Sequence, residues 1–380
     1  MKKFLSIVGM IAAACALLVG CTTVPPDDHV DPDGGKGTAP DGYEYVSMLT
    51  DRKFEKGFFL RGLGKSIYGD PVERFEDEKT DPTPPVYFQY GKEGVPKPDW
   101  GLAQWASRYS FRDVGNIAQG LDGKIDYSFT ALSEGVYNYT NSSKSITVDT
   151  NTGEYSLGLK ASECYKYPRE YGQEWPHWFI MRDIYNVPNP PVQCSVAKSY
   201  GINLRFDIRL NSFADCMGAA ANPNLHSVIF PFYIHVANID PKTKMQTDFL
   251  YVGLMPFDNR YVLSSKSSRA DTAGNKGTAT NKWVLNVATA DYFTLDYNLK
   301  TPDNEPILNE WRSVDIDVLG YIDEALASAQ KAGYMKTAKW ENLYINHMYF
   351  GYESPGTYDI DMSCKNVDIV SLLKKEDIPQ

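Results

Sequence analysis

Past residue 20 the chain has no apolar run long enough to cross a bilayer, and its 380 residues hold no glycine-rich phosphate loop and no Gly-x-Ser-x-Gly elbow. Histidine is scarce. His29, His177, His226, His235 and His347 are the whole set, and none stands at metal-ligand spacing, which argues against a zinc hydrolase. Positive charge is in deficit too, with 38 Lys and Arg against 48 Asp and Glu for a formal charge of −10. Without clustered basic residues to displace counterions, nucleic acid is excluded as a partner, and an anionic lipid surface finds no patch to hold.

What is present begins with an address. Lys2 and Lys3 precede an apolar stretch from Phe4 to Gly20, and Leu18-Val19-Gly20 is followed at once by Cys21. A basic start, a short apolar run and a small residue at its end describe a secretory signal over residues 1–20. Gly20-Cys21 resembles the lipobox of bacterial lipoproteins, which implies acylation of Cys21 as the first mature residue. Loss of Lys2 and Lys3 would take the charge to −12 (−10 minus 2). Residues 21–41 are rich in Pro, Gly and Asp and nearly free of large apolar side chains, so they read as a disordered tether. Such a tether reaches about 25 Å on average and about 65 Å at full stretch. Thr22 stands where many lipoproteins carry an inner-membrane retention aspartate, and Asp27-Asp28 resembles the acidic surface-export signal of Bacteroidetes lipoproteins. The expectation is an outer-membrane protein, held by lipid alone and facing the exterior.

Residues 42–380 are expected to form one β domain. Aromatic residues make up 13% of the chain, and 29 Gly with 23 Pro suit many strands joined by tight turns. From Ile202 to Leu210 apolar and polar residues alternate without exception, which puts Arg205 and Arg209 on the face opposite the core. Val228 to Val236 repeats the pattern with Tyr233 and His235 on the non-core side, and Pro231 calls for a bulge or an edge position. Segments 145–148 and 154–159 flank Asp149-Thr150-Asn151-Thr152-Gly153, a hairpin signal that outweighs its likeness to half a calcium loop. Further strands are expected at 86–90, 126–132, 175–180, 249–255, 283–287, 342–350 and 365–370. One amphipathic helix is expected over 314–332, capped by Ser313, with Asp315 and Asp317 in its first turn, Gly333 as its stop, and a place on an outer face or rim.

Alternating strands, an inserted helix and a late Gly351-Tyr352-Glu353 strand end resemble the concanavalin-like or lectin-like jelly roll. More narrowly, the segments 100–105, 174–178, 248–253 with 258–260, and 351–356 resemble uncharacterised secreted Bacteroidetes lipoproteins. The resemblance implies an antiparallel β-sandwich and a glycan-related role, and it brings no assigned catalytic residue. A concave sheet of that kind would bind a polysaccharide or oligosaccharide through rings that stack on sugar CH faces and polar groups that pair with hydroxyls. Trp100, Gln104, Trp105, Trp175, His177 and Arg182 are the ligand-binding candidates, with outer-membrane glycan-uptake proteins as partners. An alternating antiparallel sheet also predicts polar side chains on its wetted face with no ligand at all.

Enzymatic alternatives are sharper and less supported. Arg205, Arg209, Tyr233 and His235 loosely resemble the neutralising, base and acid groups of jelly-roll polysaccharide lyases, although the flanking residues do not match. A glycoside hydrolase needs two carboxylates across the bond. Asp207, Asp248, Asp258 and Glu353 are available without any pattern that pairs them. A structural or adhesive protein without a sugar ligand is the third reading. No cofactor is expected beyond a structural calcium, for which Asp258, Asp359 and Asp361 supply oxygen. Cys15 leaves with the signal, so Cys164, Cys194, Cys216 and Cys364 remain as disulfide candidates in an oxidising compartment, with three pairings open and buried thiols as the alternative.

Overall fold

The computed structural model describes residues 39–61, 86–105, 109, 111, 126–165, 167–173, 175–185, 190–272 and 280–379. Residues 1–38, which hold the expected leader, Cys21 and most of the expected tether, lie outside the described residues. The strands β1 (Tyr43–Ser47), β2 (Phe58–Arg61), β3 (Tyr87–Phe88), β4 (Trp100–Trp105), β5 (Ser128–Ser133) and β6 (Val136–Thr140) come first. They are followed by β7 (Lys144–Asp149), β8 (Glu154–Lys160), β9 (His177–Asp183), β10 (Gly201–Asp215), β11 (Ile229–Ile239) and β12 (Gln246–Asp258). The last are β13 (Ser267–Ala270), β14 (Trp283–Asn286), β15 (Arg312–Asp317), β16 (Leu343–Glu353) and β17 (Tyr358–Lys374). Helix α1 covers Ala161–Cys164 and α2 covers Leu319–Lys331.

Two sheets result. The first runs β15-β10-β17-β8-β7-β6-β5, with β1 on the far half of β17, and the second runs β13-β14-β12-β11-β16-β9-β4-β2-β3. Only β12–β14 and β2–β4 pair in parallel among these neighbours. The chain crosses between sheets at β1–β2, β4–β5, β8–β9, β9–β10 and β10–β11, and again from β14 through β17. This is an all-β antiparallel jelly-roll sandwich of the concanavalin-like kind, with one amphipathic helix among the described residues.

Alternation is what builds the core. Ile202, Leu204, Phe206, Ile208 and Leu210 of β10 and Phe230, Phe232, Ile234 and Val236 of β11 all turn inward and are fully buried. Phe206 of one sheet stacks on Phe232 of the other at 4.0 Å, and Phe232 stacks on Phe350 at 4.8 Å. Truncating one ring of this seam to alanine should cost about 3–5 kcal/mol. Pro231 sits where the β11–β12 register shifts, so the missing donor is absorbed by a bulge in an interior strand rather than by an edge. The 149–154 turn joins β7 and β8 as a hairpin, with Asp149 opposite Glu154.

The helix begins later than its periodicity suggests. Residues 312–317 alternate buried and exposed and pair along β10 as β15, so Ser313, Asp315 and Asp317 are strand residues. The apolar positions Val314, Ile316 and Val318 satisfy period two as well as a helical stripe, and the open edge of β10 decides between them. Asp317 still serves the helix start, since its Oδ1 accepts the Leu319 N–H at 2.9 Å. Gly333 takes the left-handed conformation (φ +90°) as the stop. Helix α2 buries Ile322, Ala325, Leu326 and Ala329 and packs on β12, β13 and β14 beside the β10 side of the first sheet. Its Ser328 hydroxyl accepts the Nε1–H of Trp283, which belongs to the core-facing row with Leu250. The helix therefore closes the side of the sandwich, and the outer face of the second sheet is left to other residues.

The disulfide expectation fails. Cys194, Cys216 and Cys364 are free thiols, and Cys164 is bonded to none of them. Cys194 and Cys364 are buried among apolar residues, whereas Cys216 is exposed at the end of β10. Cys194 and Cys364 behave as small apolar side chains, the alternative left open above.

Candidate functional site

The outer face of the second sheet is paved with rings. Tyr251, His235, His347 and Asp183 form one cross-strand row over β12, β11, β16 and β9, and Tyr233 and Tyr349 stand in the next. Centroid separations of 5.1 Å for Tyr233–Tyr349, 5.8 Å for Tyr251–Tyr349 and 5.2 Å for Phe179–Tyr349 make the band continuous. It continues to His177 and Trp175 at one end and to His235 and Phe249 at the other. A glycine lets the rings lie down. A Cβ on Gly253 would stand 2.6 Å from the Tyr233 ring, so any larger residue would lift that ring off the sheet.

At one end of the band Glu353, the last residue of β16, lies between Ile229 of β11 and His177 of β9. Trp175 donates its indole N–H to Glu353 Oε2 at 3.3 Å, and His177 Nε2 is 3.9 Å from the same oxygen. The side chain keeps 22% of its surface exposed. Desolvation outweighs the Trp175 hydrogen bond and raises the carboxyl to about 7, with Asp271 adding to the rise and Arg269 opposing it. Burial pushes the Tyr233 and Tyr349 phenols well above their ordinary value. At the other end, burial first and then the neighbouring His347 push His235 down to about 3, so its ring is neutral. Its Nδ1 bonds the Asn346 side-chain oxygen.

The electrostatics also reveal the shape of the face. Arg269 lies on β13 and Asp271 just beyond it, four strands from β16 in the order β13-β14-β12-β11-β16. In a flat sheet that separation is about 19 Å, far enough for salt to screen most of the interaction. Both residues nevertheless act on Glu353 and on Tyr233. This proximity fits an edge that curls toward the outer face, and the ring-paved surface is called the trough below. Among the described residues, the groups around it include carboxyl, phenol, imidazole and indole, with Arg269 near the Glu353 end and Lys282 over the Phe249 ring.

The sequence candidates divide by face. Trp175 and His177 join the trough, as do Tyr233 and His235. Trp100 does not: it is fully buried against Phe54 and Phe350, and its indole donates to the Asp51 carbonyl. Gln104 shares its parity on β4 and is also fully buried, accepting the Phe111 N–H at 3.0 Å. Arg182 sits with Trp178 and Ile180 on the core side of β9 and is held by Asp99 at 3.4 Å and Thr50 at 2.6 Å. Trp105 pairs with His177 in the ladder, and its side chain lies outside the described residues. These three corrections share a cause. In a two-layer sandwich a strand end that carries Trp and Gln can turn either side to the core, and only the partner sheet decides.

The lyase grouping also separates. Arg205 and Arg209 project from the outer face of the first sheet, where Arg205 binds Asp315 at 3.0 Å and Arg209 binds Glu154 at 3.0 Å. Tyr233 and His235 are on the outer face of the second, with both sheets between the two pairs. The calcium candidates are scattered and engaged. Asp258 takes Arg260 through both oxygens, Asp359 takes the N–H and hydroxyl of Ser162, and Asp361 takes Asn211. Among the described residues no group of three or more His, Cys, Asp or Glu stands together as a metal site.

Sequence reasoning passed over Tyr251, Tyr349, Phe179, Phe249 and His347, and it left Glu353 as one carboxylate among four. The signal was present in β16, where Tyr349, Gly351 and Glu353 alternate with Met348, Phe350 and Tyr352. Each set holds a large aromatic residue, so parity alone could not say which faces the core.

No protein-family model matches the chain, and no curated protein matches it. Solved structures to which it is similar include an endoglucanase from Rhodothermus marinus, at 10% identity and a TM-score of 0.32, covering 65% of this chain and 96% of that one. A family 12 xyloglucanase from Bacillus licheniformis aligns at 12% identity and a TM-score of 0.33, over 64% of this chain and 96% of its own. A family 11 xylanase from Neocallimastix patriciarum aligns at 8% identity and 0.30, over 66% and 96%.

Proposed function

We propose that this protein binds glycans in the trough on the outer face of its second sheet, and that it does so at the cell surface, tethered through a lipid on Cys21. The observation that carries the binding reading is the unbroken band of rings from Trp175 to Phe249, with a carboxyl at one end. Sugar rings offer CH faces that stack on such aromatic residues and hydroxyls that pair with the polar tips of Tyr, His and Glu. The anchor reading is supported by the Gly20-Cys21 junction and the acidic linker after it. An outer-membrane, outward-facing domain of this kind would pass captured carbohydrate to uptake proteins.

The test is migration in gels loaded with neutral and acidic polysaccharides, followed by calorimetry on the retarding ones. Retardation that disappears in Tyr233→Ala and Tyr349→Ala supports the binder. No retardation by any glycan would leave a structural or adhesive role. Palmitate labelling that survives Cys21→Ser would remove the anchor.

A second reading, glycoside hydrolysis, is favoured by Glu353. A carboxyl raised to about 7 is half protonated at neutral pH and can donate to a leaving oxygen, and Asp271 is a second carboxylate within its electrostatic reach. Release of reducing ends, abolished in Glu353→Gln while binding persists, distinguishes hydrolase from binder. The lyase reading has lost its residue grouping. Unsaturated products absorbing in the ultraviolet would be the result that restores it.

A further inference from the structure

Lys300 is buried, with 3% of its surface exposed, and its ammonium is met by oxygen dipoles. It donates to the main-chain carbonyls of Asp258 and Tyr261 and, at 2.8 Å, to the side-chain oxygen of Asn304. Three acceptors match the three N–H bonds of an ammonium. The Phe257 ring covers another side at 5.3 Å. The nearby Asp258 carboxylate is occupied by Arg260, whose Nε and Nη2 reach it at 2.9 and 2.7 Å. Asn304 closes the arrangement by donating to the Asn259 carbonyl at 3.1 Å. Three of the four residues from Asp258 to Tyr261 thus turn a carbonyl toward Lys300 or toward the Asn304 side chain that holds it. The loop leaves β12 in the cross-strand row Asp258–Ile229–Glu353, so it stands beside the Glu353 end of the trough.

A bound metal ion would be the usual way to gather carbonyl oxygens from a loop in this manner. We propose that this is a cation site whose resident is the chain's own lysine: the 258–261 loop is wrapped around the Lys300 ammonium, and the cage, once emptied, accepts a small primary alkylammonium in its place. Burial pulls the Lys300 pKa down to about 8, against the opposing attraction of Asp258 and with Arg260 adding to the fall. An ammonium so placed is held by the oxygens around it. The Lys300 clamp is independent of whether the trough takes sugar.

The Lys300→Ala variant lacks three methylenes and the ammonium, the shape of propylammonium. Its midpoint of thermal unfolding should fall by about 5 °C or more, and amides 259–262 should exchange hydrogen faster. Propylammonium chloride should restore both in a saturable way. Propanol, equal in length but uncharged, and sodium chloride at equal ionic strength should restore neither. Lys300→Met, which refills the channel without charge, should stay below wild type and ignore propylammonium. Equal rescue by propanol, or wild-type protection of the loop in Lys300→Ala, would overturn the proposal. Should Lys300→Ala fail to fold, Asn304→Ala removes one of the three oxygens. Unchanged exchange in the loop of that variant would overturn it as well.

Discussion

Replacing Glu353 by Gln removes a charge and keeps the shape, so it isolates the cost of ionising this carboxyl in the trough. Below its ordinary value of 4.5 the group is protonated in both the folded and the unfolded chain and contributes nothing to pH dependence. Between 4.5 and about 7 the unfolded chain has released the proton while the folded protein still holds it, so stability falls as pH rises. Above about 7 both states are ionised and the full cost remains. At about 1.4 kcal/mol per pH unit the ceiling is about 3.5 kcal/mol, and water at the exposed fifth of the side chain brings it nearer ~2 kcal/mol. The Gln variant should therefore match wild type at pH 4.5 and exceed it by a few degrees of unfolding temperature at pH 8. Other titrations cancel in the difference between the two proteins, including His235, which is held neutral and favours folding as pH rises from about 3. Scanning calorimetry of both across this range measures the difference directly. A difference that does not change with pH would refute the claim that Glu353 is desolvated by the trough.

Arg205→Ala and Arg209→Ala should leave glycan retention unchanged, because both lie on the other sheet, while Tyr349→Ala should weaken it about tenfold. Loss of retention in the arginine variants, read in the same gels, would contradict the site. Phe232→Ala should lower stability by about 3–5 kcal/mol in urea titration, since its ring is stacked on both Phe206 and Phe350. In native protein Cys216 should react with a thiol reagent at once and Cys194 and Cys364 only after unfolding, and reductant should leave the unfolding temperature unmoved. A drop of several degrees in reductant would restore a disulfide.

The strands that read most clearly were those with one dry and one wet face. β7, β8 and β10 alternate apolar with Ser, Thr, Asn, Asp or Arg because the outer side of their sheet is polar. The trough strands were the hard ones. β11 and β16 carry aromatic residues on both sides, so period two located the strand without saying which side is functional. Trp100 and Gln104 were misjudged for that reason, and 313–317 because its alternation also fits a helical stripe.

By itself the sequence determined the class of the fold, the hairpin at 149–154 and the left-handed stop at Gly333, and it narrowed Pro231 to a bulge or an edge. Each of these is settled by a residue's own backbone freedom or by polarity along a few neighbours. Only the tertiary structure decided that Arg205 and Tyr233 face opposite ways, that four cysteines never meet as a bonded pair, and that Glu353 gathers Trp175 and His177. Those outcomes depend on which strands lie side by side and which face each turns inward, and both are set by the packing of two layers against each other.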